Sequence, residues 1–301
     1  MLADKPSTAS ALPQVIEHKP RAFHSFPGAQ YILPSDDEER SRLELQHRVI
    51  CRALGNRLFI VPLSIKKGDK ILDCGTGSGI WLLDIAKAVP PEVGLQGIDI
   101  ESRLFPSSKP ENVNFSVETA LRLPDGWQDA FTFVHQRLLI AGLQAKEWPQ
   151  VLREIHRVLA PGGWVQLLEA KEEQGADNKP VTMRQRALNK ALFSARGLLL
   201  DCATHMPDLL WEAGFESVEV RELHLPVGAW AGDEGIETRE SFLNVFRGMK
   251  TPVLKAGGLG FISSEEEFDS MMDGLAREWD ETEGSTINLC VFCAQKPPSE
   301  N

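Results

Sequence analysis

The stretch Asp73-Cys74-Gly75-Thr76-Gly77-Ser78-Gly79 sets three glycines at alternate positions behind an acid. Glycine removes the side chain where a ligand must meet backbone, and it adopts left-handed φ without strain. The stretch follows a short apolar run, Lys70–Cys74, and opens a helical pattern over Ile80–Val89. A bend of this kind offers the free N–H groups of a helix start. In an open α/β sheet it can bind a nucleotide-like cofactor in the crevice beyond the strand ends. The dinucleotide fingerprint G-x-G-x-x-G is not met, because its third glycine, counted from Gly75, falls on Ile80. A nicotinamide cofactor is therefore disfavoured. A second acid, Asp99, ends Gly97-Ile98-Asp99-Ile100, twenty residues after Gly79. A carboxylate at the tip of a second strand can accept hydrogen bonds from both hydroxyls of a ribose. The bland alternatives are a tight strand–helix turn and a solvated strand-end acid.

The pattern Asp-x-Gly-x-Gly-x-Gly at 73–79 resembles the S-adenosylmethionine (SAM) loop of class I methyltransferases. SAM has no pyrophosphate, and it carries a sulfonium and an ammonium, so an acid on the loop is favourable. Arg153–Trp164, with its Leu159-x-Pro161-Gly162-Gly163 turn, resembles the helix, turn and fifth strand of the same family. The series Tyr31-x-Leu33-Pro34-x-Asp36-x-x-Glu39-x-x-Arg42-Leu43-x-x-Gln46-His47 resembles the N-terminal signature of a fungal methyltransferase group. That group includes natural-product enzymes and relatives of the secondary-metabolism regulator LaeA, and Val134-His135-x-Arg137 also fits it. The likeness covers about residues 31 to 170.

The resemblance implies a Rossmann-like, seven-stranded α/β sheet of order 3-2-1-4-5-7-6, its last strand antiparallel and falling at residues 284–296. It implies cofactor contacts from Asp73, Gly75, Thr76, Gly77, Gly79, Asp99 and Ile100. Glu118 and Thr119 follow the third strand and fall at the adenine, with Thr119 where the family often has Asp. Tyr31 and Gln46, with His47, would form part of a lid over SAM. The implied reaction is in-line displacement of the methyl group onto O, N or S of an apolar small-molecule secondary metabolite. Two other readings stay open: a SAM-binding regulator or scaffold that turns nothing over, and a non-methylating enzyme on the same fold.

His135, at the mouth end of the fourth strand, is the expected base or acceptor-orienting residue. Its alternative is a structural histidine bonding the N-terminal helix. Glu169, at the end of the fifth strand, can orient an acceptor or bind the lid; otherwise it is a solvated acid. Arg137 can pair with the cofactor carboxylate or with a surface acid. His156 reads as a surface residue of an amphipathic helix. Met183, Trp211, Trp230, Phe242, Phe246, Met249, Met271, Met272 and Trp279 supply either an apolar acceptor pocket or simply core.

The elements that must hold these residues alternate between strand and helix. Strands are expected at Lys70–Cys74, Val93–Ile100, Val113–Val117, Ala130–His135 and Trp164–Glu169, with helices at Ile80–Val89 and Trp148–Leu159. This alternation implies βαβ units and a parallel sheet. Before them, Ser35 caps a helix with Glu38 three residues on, a capping box, and Gly55 ends it. After them come helices at Met183–Leu200 and Met206–Ala213 and a strand at Phe215–Leu225. Two further helical stretches, around Phe242–Met249 and Glu265–Trp279, precede a last strand at Thr286–Gln295. The expected organisation is a mobile arm at 1–30, a helical lid at 31–64 and a domain at 65–298, with cap insertions at about 171–213 and 228–285.

The chain has 301 residues, 42% of them hydrophobic and 25% charged, a globular balance that can bury a sizeable core. Its 43 acids against 32 bases give a formal charge of -11, which disfavours nucleic acid and anionic membrane surfaces. No apolar run approaches a membrane span and no secretory leader is evident. Five cysteines, an odd number, fit reduced thiols and a cytoplasmic protein. Cys290 and Cys293 fall on a strand, where positions three apart face opposite sides, so no metal is expected there.

Overall fold

Five apolar runs form the parallel part of one sheet: β1 (Lys70–Cys74), β2 (Gly94–Asp99), β3 (Val113–Val117), β4 (Phe131–Arg137) and β5 (Leu159–Gln174). β6 (Glu216–Pro226) and β7 (Thr286–Gln295) complete it. The computed structural model describes residues 14–176 and 178–299. The first thirteen residues of the expected arm lie outside them. The strand order is β3-β2-β1-β4-β5-β7-β6, with β7 antiparallel to both neighbours, as expected. The central strands read as nearly unbroken apolar runs because helices cover both faces. Ile71, Leu72, Phe133, Val134, Val165 and Leu167 are fully buried.

The register decides where a site can form. Asp73 lies beside Gly97 of β2 on one side and His135 of β4 on the other. Chain order reverses at β1, so a crevice opens beyond the tips of β1, β2 and β4. β4 runs two residues further than expected, to Arg137, which brings that side chain to the crevice. β5 is longer at both ends. The Pro161-Gly162-Gly163 turn sits inside it as a shift in pairing, between Phe131 beside Leu159 and Phe133 beside Trp164. Beyond Glu169 the strand continues because β7 is long enough to pair it to Gln174.

The helices divide into two sets. α2 (Ile80–Ala88), α3 (Trp148–Val158) and α5 (Cys202–Glu212) pack on the sheet. α1 (Asp37–Ala53), α4 (Pro180–Arg196), α6 (Gly232–Gly248) and α8 (Glu265–Glu281) pack on one another, and α1, α4 and α6 line the crevice. α7 (Lys250–Lys255) is too short to show a period in sequence. Within the expected insertion at 171–213, α4 joins this upper layer while α5 lies against β5, β6 and β7. Residues 14–35 run over the upper layer: Ile16 N–H donates to Leu254 at 3.0 Å, and Arg103 holds the Phe23 carbonyl at 2.8 Å.

The cap of α1 falls one residue later than expected. Asp36, not Ser35, accepts from the N–H of Glu39, at 3.1 Å. Asp36 is fixed in that role by Arg21, whose Nε donates to it at 2.9 Å. The Ser35 hydroxyl is buried without a hydrogen bond. All five cysteines are free thiols.

Asp36→Ala should lower stability by about 1 kcal/mol in urea unfolding, the usual cost of a lost cap. The Arg21 hydrogen bond holds the Asp36 carboxyl below its ordinary 3.8. The deficit should therefore be full above that value and should shrink as pH falls through the lower folded value.

Candidate active site

Gly75 and Gly77 take φ of 66° and 56°, which swings the loop backbone toward the crevice. A Cβ on Gly75 would lie 2.6 Å from Leu139 Cδ2, so the backbone here passes under the Leu139 side chain with no room to spare. The loop is tied down from behind. Asp73 accepts from the Thr76 hydroxyl at 2.6 Å and from His135 Nδ1 at 2.7 Å. Thr76 N–H donates to the Ile98 carbonyl at 2.8 Å. One carboxylate thus joins loop, β1 and β4.

Asp99 faces the loop from β2. Its Oδ2 accepts from Gly77 N–H at 2.8 Å and its Oδ1 from Glu101 N–H at 3.1 Å. Burial pushes its carboxyl up to about 6, against the pull of those backbone donors.

These groups wall one end of a cavity of about 930 Å³. That end holds Gly75, Thr76, Gly77, Asp99, Ile100 and, after β3, Glu118 and Thr119. Tyr31 and Gln46 cover it from the N-terminal side, and neither side chain makes a hydrogen bond to the described protein through its hydroxyl or amide. The rest of the wall is largely apolar, with Leu143, Phe193, Phe242, Phe246 and Met249, and also carries Asn189, Lys190, Asp201 and Thr204. The volume sits near the top of the roughly 300–1,000 Å³ range of ligand pockets, room for two ligands end to end.

Four expected contact residues, and His47 of the expected lid, do not reach the cavity. Asp73, 3% exposed, is spent on the loop lock. Gly79 turns into α2, where a Cβ would meet Phe115. His135 is stacked flat on Trp81, centroids 3.8 Å apart and planes 6° apart. Burial lowers its pKa while Asp73 raises it, so the neutral ring donates Nδ1–H to Asp73 and presents nothing to an acceptor. The structural role corrects the catalytic one. Glu169, fully buried, accepts from Leu139 N–H at 2.9 Å and Ile140 N–H at 3.1 Å. It holds the turn after β4, where Leu138 sits at φ 54°, a costly conformation for a bulky residue. Burial pushes its carboxyl up to about 8. It too positions rather than reacts.

Among the apolar residues weighed for the pocket, Phe242, Phe246 and Met249 line it, whereas Met271, Met272 and Trp279 are core and Met183 and Trp211 are exposed. His156 is half-buried against Phe215. Sequence reasoning missed the Leu139–Gly142 turn and the segment Phe26–Ala29, both in the cavity wall. Neither has a period or a charge pattern. Arg42 also lines the cavity, and its signal was available: Glu39 sits one turn before it, and the two form a buried bidentate pair at 2.6 and 2.8 Å.

Residues 44–220 match the family described as Methyltransferase domain. The methyltransferase pytC of Aspergillus terreus is 31% identical over 90% of this chain and 79% of its own length. The N-methyltransferase sirN of Leptosphaeria maculans is 30% identical over 90% of this chain and 96% of its own. Among solved structures, a putative methyltransferase in complex with the Trm112 activator of Haloferax volcanii shares the fold at TM-score 0.50. Its identity is 16%, over 87% of this chain and 95% of that one. The likeness drawn from the loop and the N-terminal signature agrees with these relatives.

Gly75→Ala should cost about 2–4 kcal/mol in urea unfolding, from left-handed strain plus contact with Leu139. An unchanged midpoint would mean that the loop does not pass Leu139 as closely as described.

Proposed function

The chain belongs to the SAM-dependent methyltransferases, and from that premise we propose that it moves the SAM methyl group to a heteroatom of an apolar small-molecule metabolite, a nitrogen first. The observation that carries this is one cavity whose wall joins the glycine loop, Asp99 and the residues after β3 to a largely apolar set from α4 and α6. The residues fit the cofactor: a loop bared by Gly75 and Gly77 whose backbone lines the cavity, a carboxylate at the β2 tip, and Gln46 with its amide unspent. Asp99 would accept the ribose hydroxyls, Glu118 and Thr119 would border the base, and Tyr31 would cover them.

Bound there, SAM supplies a methyl carbon on a sulfonium, already a good leaving group. The chain's part is then to bind, align and exclude water. The loop and Asp99 fix one reactant, and Phe193, Phe242 and Phe246 shape and dry the space for the other. No general base comes from His135 or Glu169, because both are committed inside the protein. An acceptor with a lone pair free at neutral pH, a weakly basic amine such as an aromatic one, suits that arrangement better than a hydroxyl that must first lose a proton. The name of the sirN relative, an N-methyltransferase, is consistent with this reading.

Incubation with labelled SAM and a fungal metabolite extract should yield labelled products by mass spectrometry. Binding of SAM with no labelled product would overturn the catalytic reading and favour a regulator; a changed metabolite with SAM intact would favour non-methylating chemistry. Asp99→Ala should weaken S-adenosylhomocysteine by about tenfold to a hundredfold in calorimetry, the worth of charge-assisted hydrogen bonds. The raised Asp99 pKa adds a pH signature: the carboxylate is ionised above about 6 and protonated below it. Wild-type affinity should fall on going from about pH 7.5 to about pH 5, by at most ~tenfold per unit, and Asp99→Asn should be flat.

A further inference from the structure

We propose that Arg137 receives the carboxylate at the methionine end of SAM, and that His47, oriented by Asp84, is the positioning residue that aims it. This rests on the reading of the glycine loop as the SAM site.

The placement follows from strand register. Gln136 lies beside Cys74, so Arg137 comes level with Gly75 at the start of the loop. The adenosine end lies on the other flank of β1, at the tips of β2 and β3. A ligand anchored there and stretched along the loop ends beside β4, where Arg137 lines the cavity.

The chemistry of Arg137 requires an anion. Its guanidinium carries five N–H donors and stays charged. Burial lowers its pKa, yet among the described residues no carboxylate forms an ion pair with it. Its one protein partner is neutral: Nη1 donates to His47 Nδ1 at 3.0 Å. Among the described residues the Asp73 carboxylate acts on it only through space, with no hydrogen bond, so the rest of the fork is left to a ligand. Arg42, in the same cavity wall, shows the contrast in charge, since Glu39 neutralises it through Nε and Nη2, with only Nη1 left without a partner. A carboxylate is the planar, two-oxygen anion that a guanidinium fork fits best.

His47 fixes the fork. Arginine has no acceptor, so Nδ1 must carry the lone pair and Nε2 the proton. Nε2–H then donates to Asp84 Oδ2 at 2.9 Å. Lys87 Nζ holds the other oxygen of Asp84 at 2.7 Å. Burial and the Arg137 charge drive the His47 pKa down to about 4, so the accepting tautomer persists at neutral pH. Two separate pieces of the N-terminal and fourth-strand signatures, Gln46-His47 and Val134-His135-x-Arg137, thus meet in one chain of hydrogen bonds ending in the cavity.

Two ligands separate the amino-acid end from the adenosine end: S-adenosylhomocysteine, and 5′-methylthioadenosine, which keeps the adenosine thioether and lacks the carboxylate and ammonium. Calorimetry on Arg137→Gln should show S-adenosylhomocysteine weakened about tenfold to a hundredfold and 5′-methylthioadenosine unchanged within about twofold. Arg137→Lys keeps the charge without the fork and should recover part of the loss. His47→Gln and Asp84→Asn should give smaller losses with the same selectivity. Equal weakening of both ligands in every variant would overturn the proposal, because it would reduce the cluster to packing. No weakening of either would overturn it too and assign Arg137 to something else, such as an acidic acceptor. Wild type that binds neither ligand would count against the SAM site itself, before Arg137 is in question.

Discussion

The Asp73 carboxylate is the joint on which the cofactor end is built. It lies inside the protein, at the tip of the central strand, and its two oxygens reach two different parts of the chain, Thr76 and His135. A buried carboxylate is tolerated only when hydrogen-bonded, so both partners are needed to keep it there. Through Thr76 it closes the glycine bend. Through His135 it reaches Trp81, whose indole N–H donates to the Leu58 carbonyl at 2.9 Å and so ties the column to the segment after α1. An acid that looks like a ligand contact in sequence serves instead to shape the backbone that makes the contact.

Glu169 repeats the device on the far side of β4. A turn that carries Leu138 at positive φ stores strain of about 1–3 kcal/mol and persists only where its surroundings hold it. The surroundings are two N–H groups captured by one buried carboxylate, and the Leu138 N–H captured by Leu168 at 2.7 Å. The result sets Leu139 over Gly75 and exposes the turn to the cavity. Around Gly75 the cavity wall is therefore backbone and apolar side chain, with Asp73 and Glu169 one layer behind, while Asp99 and Glu118 stand in the wall itself.

That layering explains what could be read from sequence. Period and turn chemistry gave every strand, because a two-sided sheet demands apolar runs of the right length between glycine and proline punctuation, whereas the strand order came from the family resemblance. The β7 bounds were legible to the residue, Thr286–Gln295. Loop glycines and Asp99 were legible because backbone approach and strand-tip position leave a mark on residue type. His135 and Glu169 were misjudged because a strand-end position does not say whether a polar side chain faces the crevice or a neighbouring strand. The cap of α1 slipped by one because Arg21, fifteen residues away, chooses Asp36 over Ser35. Long-range partners of this kind have no local signature. The Phe26–Ala29 segment escaped for the same reason: it owes its place to Arg103 and to the roof.

A division of labour follows between the two ends of the cavity. Around the glycine loop four wall residues are each held by a polar side chain: Gly77 by Asp99, Thr76 by Asp73, Leu139 by Glu169, Arg137 by His47. Rigidity there has a use, since alignment of a transferred group is lost with shifts of about an ångström. At the other end the wall comes from α4 and α6, which pack mainly on other helices, with α6 also touching the edge strand β6. Side chains such as Phe246 and Met249 carry no hydrogen bonds that fix them, and volume-conserving exchanges among apolar residues cost little, typically under ~1.5 kcal/mol. Acceptor choice can therefore change by repacking the roof while the cofactor end stays as it is. The same reasoning places selectivity for the metabolite in α4 and α6, and leaves the sheet to hold what every reaction of the family shares.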